Sequence, residues 1–234
     1  MDLNLNVVLV LFQIAVLVFA FSVHGWAQAY AAMRLGDATA YMQGRVTLNP
    51  AKQLDTWGSL VMPALSLAFG GALLGWGKPC PMTLRNFRKM KRDDILATLA
   101  GPGSNLAMAS VSLVLLLVLK HTPGIGRDAV LAAMAMVKKI PIDMTALPKM
   151  FPVALLLYYG VVMNTLLCVF NLIPVPPLDG SRIIRYFLPY RWEQAYDRIG
   201  ILGSFLIFFL AGRIILPIFY PPLIRTFDLL LLRL

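Results

Sequence analysis

The sequence predicts an all-α polytopic membrane protein. It would be one domain over residues 1–234, with about five spanning helices and a small β-hairpin after the first. Three observations predict it. Of the 234 residues, 59% are hydrophobic and 14% charged, and the mean hydropathy is +0.75. A water-soluble domain of this length has too little interior to hide so much apolar surface. The apolar residues gather into long runs near 5–33, 57–76, 95–119, 153–172 and 201–218, most of them close to the ~20 residues that a bilayer core requires. Polar, basic or proline-rich stretches separate those runs.

The first run, 5–33, ends at Arg34-Leu35-Gly36-Asp37. Ala27-Gln28-Ala29 has the small-x-small pattern of a signal cleavage site. Residues 1–6 carry no positive charge, however, and the run is long for a signal core, so an uncleaved membrane helix is expected. Residues 39–48 contain the strand formers Tyr41 and Val46, several threonines and a turn-prone Gln43-Gly44, which predict a short hairpin closed by Asn49-Pro50. Such a hairpin is either a plain connection or a sheet edge able to pair with an extended peptide.

The second run, 57–76, has a tryptophan at each end, Trp57 and Trp76, as interfacial aromatics do. Pro63 and Gly70-Gly71 predict a kinked or broken helix there. A basic loop follows, with Arg85, Arg88, Lys89, Lys91 and Arg92 close together. The third run, 95–119, holds Gly101-Pro102-Gly103-Ser104-Asn105. Its small residues permit close helix approach, and Asn105 needs a partner in lipid. Residues 120–152 are a mixed connection in which 129–137 predict a short amphipathic helix. The fourth run, 153–172, carries Asn164 and Asn171. Beyond it, Pro174, Pro176 and Pro177 forbid regular helix, and Asp179 follows near a membrane boundary. The fifth run, 201–218, includes Arg213, expected to snorkel to an interface, and an apolar, interfacial tail follows.

The net charge is +10. No aromatic-basic groove motif accompanies it, so nucleic acid is not the expected partner. Loop Lys and Arg at an anionic leaflet account for the charge. They are spread over both sets of loops, so orientation does not follow. The two cysteines, Cys80 and Cys168, form neither a metal spacing nor a disulfide framework, and read as small buried hydrophobes.

The candidate chemistry lies in Phe21-Ser22-Val23-His24-Gly25-Trp26-Ala27-Gln28. His24 and Gln28, four residues apart, share one helix face. A helical zinc-protease motif, H-E-x-x-H, places two zinc histidines one turn apart and uses the glutamate to activate water. Here the glutamate position is Gly25 and the second histidine position is Gln28. Residues 21–49 resemble the first motif region of the site-two protease family, the intramembrane zinc metalloproteases (peptidase family M50-like). Gly101–Asn105 resembles that family's G-P-x-S-N element, and Asn171–Gly180 its N-x-x-P-x-P-x-L-D-G element, in the same order along the chain.

The resemblance implies membrane helices around a sunken zinc site in an integral, multi-pass protein of a bacterial cell membrane. Carried over by position, His24 and Asp179 are metal ligands, Gln28 stands at the missing ligand position, and Asn105 and Asn171 are polar supports. Zinc sites of this kind use three protein ligands and a water, so zinc is expected to be weak or absent here. Loss of the base removes an effect worth about 10²–10⁴ in rate. His121, the other histidine, sits in a loop and is not expected to substitute. Without zinc, His24 is expected to join Gln28 or Asp179 in a polar cluster.

The expectation is a non-catalytic pseudoprotease that binds the lipid bilayer and a transmembrane helix or membrane-protein client. Two alternatives stand beside it. One is an active zinc endopeptidase with an unorthodox centre. The other is a channel or carrier lined by Asn105, Asn164, Asn171 and Asp179.

Overall fold

The computed structural model describes residues 3–64, 75–176, 178–189, 191, 196 and 201–234. The principal helices are α1 (Leu3–Leu35), α2 (Thr39–Met42), α3 (Pro50–Gln53), α4 (Met90–Lys120), α5 (Gly126–Val137), α6 (Phe151–Asn171), α7 (Asp179–Ile184) and α8 (Ile201–Arg233). Three stretches among the described residues are long and apolar enough to cross a membrane: Val7–Leu35, Met90–Lys120 and Phe151–Asn171. That is fewer than the five expected. The second expected span, 57–76, falls in part on residues 65–74, outside the described residues. Residues 201–218 are helical, with the side chains of 201–213 outside the described set.

Helices α1, α4 and α6 pack on one another, and α5 and α8 cover α6. Tyr158, Leu155, Leu167 and Val161 of α6, Leu116 of α4 and Leu17 of α1 share the main buried cluster. Four-residue spacing along α6 places Leu155, Tyr159 and Met163 along one side of that contact. The expected amphipathic helix of the 120–152 connection is present as α5, and its Val130, Ala133 and Met134 face the same cluster.

No strand occurs among the described residues, and the expected hairpin is absent. A local side-chain turn overrides the strand propensity of Thr39 and Tyr41. The Asp37 carboxylate accepts hydrogen bonds from the Thr39 backbone N–H (3.0 Å) and from its hydroxyl, an Asx-turn that leads into a helical turn instead of a strand. The turn at Gln43-Gly44 exists, but it ends α2. Gly44 adopts φ +66°, and Arg45 N–H reaches back to Ala40 O at 2.9 Å, a left-handed helix stop that needs glycine. Asn49-Pro50 begins α3 in place of ending a hairpin, because Asn49 caps the Ala51 N–H at 3.0 Å and Pro50 sits in the first turn.

Trp57 is exposed, as an interfacial aromatic would be, but Trp76 is buried. Its backbone N–H donates to Gly58 O at 3.1 Å, and its carbonyl accepts from Ser59 Oγ at 2.8 Å. It closes a loop against the turn Thr56–Val61.

Two acidic side chains fasten the connections to the helices. Asp37, beyond the end of α1, is buried and also accepts from Thr83 N–H (2.6 Å) and Asn86 Nδ2 (3.0 Å). Burial raises its pKa, but the hydrogen bonds from Thr39, Asn86 and Thr83 outweigh this and hold it below the ordinary carboxyl value. Asp94 of α4 is buried and takes the Arg182 guanidinium of α7 on both oxygens, with Nε at 2.9 and 3.0 Å. Tyr186 Oη adds a bond at 2.7 Å.

A group with a lowered folded pKa contributes stability above its unfolded pKa of about 3.9 and loses it as pH falls through the folded value. Asp37→Asn should therefore cost about 2 kcal/mol at pH 7. The gap to the unmodified chain should narrow below about pH 3.9, as thermal melts in detergent micelles across pH would show.

Candidate functional site

One proline prepares the site. Pro102 lies inside α4 and has no N–H, so the carbonyl four residues earlier, that of Thr98, loses its helical donor. In place of that donor, Gln28 Nε2 of α1 reaches Thr98 O at 3.1 Å. The two helices come close enough for this because residue 101 is glycine. A Cβ there would stand 2.4 Å from His24 Nε2 and 2.8 Å from Gln28 Nε2.

His24, Gln28 and Asp179 meet, although 151 positions separate Gln28 from Asp179. Gln28 Nε2 donates to Asp179 Oδ1 at 2.8 Å. His24 Nε2 lies 3.0 Å from Asp179 Oδ2. That contact is close but not aligned as a hydrogen bond, and it leaves Oδ2 without one. On the other side of the ring, Asn105 Nδ2 lies 3.2 Å from His24 Nδ1. His24, Gln28, Asp179 and Asn105 thus lie together in one polar cluster.

Asn171 borders the same cavity, but its amide donates to Leu167 O of its own helix at 2.9 Å. Asn164 does the same to Gly160 O at 2.9 Å. His121 caps the far end of α4 and bonds Leu117 O at 2.8 Å, away from the cluster's wall. Gly25 faces α3, where Gln53 lies against it.

The cavity beside the cluster holds about 160 Å³, room for several waters. Its wall includes His24, Gln28 and Asp179 together with Lys78, Pro79 and Cys80. Cys80 is buried, as expected of a small hydrophobe. Burial pushes its thiol up to about 11, against the pull of Arg45 and Arg182.

The donor set does not fit a catalytic zinc. His24 and Asp179 are the two metal-ligating side chains in the cluster. Among the described residues, no group of three His, Cys, Asp or Glu side chains could hold a metal. Gln28 turns its amide hydrogens toward Asp179, and those hydrogens repel a cation.

Sequence reasoning missed Thr98, Gln53, Arg45 and the Asp94–Arg182 pair. Only the first left a signal, since a proline within a helix names the orphan carbonyl four residues before it. The others depend on contacts between distant segments.

Three helices long and apolar enough to cross a membrane thus carry or border a site in which a histidine and a carboxylate meet. The model of Peptidase family M50 matches residues 10–211, and the chain belongs to that family. It is an integral membrane protein of metalloprotease-like type.

The chain is 38% identical over 178 residues to "Putative zinc metalloprotease YwhC" of Bacillus subtilis (strain 168), across 76% of this chain and 69% of that protein. It is 34% identical over 86 residues to "Putative zinc metalloprotease Rip2" of Mycolicibacterium smegmatis (strain ATCC 700084 / mc(2)155). That match covers 37% of this chain and 32% of that relative. No solved structure matches.

Alanine normally stabilises a helix interior relative to glycine by about 1 kcal/mol. At Gly101 the sign should reverse. The added methyl displaces His24 and Gln28, and Gly101→Ala should lower stability by about 1–2 kcal/mol in a detergent melt.

Proposed function

We propose that this chain is a non-catalytic member of the family in a bacterial cell membrane, and that it binds a membrane-spanning or membrane-proximal segment of a client protein without cutting it. The bond from Gln28 Nε2 to Asp179 Oδ1 carries this reading. It engages, with an amide donor, the carboxylate that resemblance assigns to the metal, and it does so from the place of a second histidine. Zinc is then weakly held or absent. Gly25 offers no carboxylate to polarise water, so neither the Lewis acid nor the base of the family's chemistry is supplied.

A cavity at the junction of α1, α7 and residues 76–82 supports a binding role. The relatives' names support zinc chemistry as the family's background, and YwhC supports a bacterial setting.

Metal analysis of the purified chain in detergent tests this. We expect well under one zinc per chain. Gln28→His, which supplies a third ligand beside His24 and Asp179, should bring the content close to one, and His24→Ala in that background should remove it. Stoichiometric zinc in the unmodified chain, together with peptide cleavage abolished by His24→Ala, would overturn the reading in favour of an active peptidase.

A further inference from the structure

Gly25 is more than a position that lacks a side chain. A Cβ on Gly25 would stand 2.3 Å from Gln53 Oε1 and 2.9 Å from Gln53 Cδ, well inside contact distance. A flexible amide could usually swing aside, but this one is held at every polar atom. Gln53 Oε1 accepts from Arg45 Nε at 3.2 Å and from Arg45 Nη2 at 3.0 Å. Its Nε2 donates to Arg45 O and Thr47 O, both at 2.8 Å. Two donors and two acceptor sites are the whole capacity of an amide, and all four are used.

Gln53 is 1% exposed and Arg45 4%. Arg45 also donates to Lys78 O at 2.9 Å, and Gln53 O accepts from Lys78 N–H at 2.7 Å. Displacing the Gln53 amide would strip partners from a buried guanidinium whose contacts are amide and carbonyl oxygens. A buried charge left without partners is far more costly than an ordinary lost hydrogen bond.

We propose that the Gln53 amide, locked by Arg45, occupies the side-chain place of residue 25, so that Gly25 is a packing requirement of this chain and its reaction centre is sealed against a carboxylate at that position. The helix α3 thereby docks on α1 through the missing side chain, and the Arg45–Gln53 pair joins α1, the turn at residues 45–47 and the segment at residues 77–79. Restoring an acid at residue 25 then breaks the fold's own contacts instead of rearming the site. This packing holds whether or not zinc or a client binds.

A stability cycle on the full chain in detergent, followed by tryptophan fluorescence, tests it. Gly25→Ala should lower Tm by about 4–8 °C, and Gly25→Glu by more. In a Gln53→Ala background the same Gly25→Ala change should raise Tm, because the obstruction is gone and alanine favours helix over glycine. An equal Tm loss from Gly25→Ala in both backgrounds overturns the proposal. Should Gln53→Ala fail to fold, the single variants decide. Gly25→Ala and Gly25→Glu melting at or above the unmodified chain would overturn it, and graded losses would support it.

Discussion

The carbonyl of Thr98 is the point on which the site's arrangement turns. A proline four residues later leaves it without its helical partner, and in an apolar surrounding an orphan carbonyl must find a donor. Gln28 supplies that donor from α1 at 3.1 Å. The same nitrogen binds Asp179 at 2.8 Å, so one amide ties two membrane helices to the start of α7. Gly101 permits this approach because it leaves the space beside His24 and Gln28 free of any side chain. Close packing, a broken helical bond and a polar bridge are therefore one device.

What holds Asp179 in reach of α1 is a second anchor on the same short helix. Three residues on, Arg182 grips the buried Asp94 of α4 with both carboxylate oxygens engaged. A planar guanidinium matched to a carboxylate fixes direction as well as distance. In the proline-rich bend before α7 the N–H groups of Ile173, Val175 and Leu178 bond carbonyls two or three residues back, and two side chains at its exit also fix its course: Asp179 toward α1 and Arg182 toward α4. His24, Gln28 and Asp179 line the cavity beside them.

The chemistry of the cluster follows from the hydrogens it presents. A metal centre needs converging lone pairs. Here an amide N–H group points at the carboxylate and one imidazole lies beside it. Across α1, the place of a catalytic acid is filled from outside by the Gln53 amide.

Much of this was readable from the residues in order. Composition required lipid, and apolar runs located α1, α4 and α6 to within a few residues, because one long helix satisfies its own backbone in a bilayer. His24, Gln28, Asn105 and Asp179 could be singled out as polar groups in apolar stretches. The hairpin could not be judged locally. Thr39 and Tyr41 favour a strand, but the Asp37 carboxylate bonds Thr39 in a tight turn that leads into a helix, and that carboxylate is held in place by Thr83 and Asn86 from much further along the chain. Likewise Asn171 and Asn105 look alike in sequence, yet one bonds its own helix and the other meets His24.

By itself the sequence determined the membrane setting and the family, and it set Gly25 and Gln28 apart from the H-E-x-x-H pattern as two substitutions, since each is a matter of residue type and spacing. Tertiary structure alone decided which atoms those substitutions face: Thr98 O and Asp179 for Gln28, and Gln53 for Gly25. Such contacts join segments up to 151 positions apart. Their distances are fixed by helix packing, which no local pattern encodes.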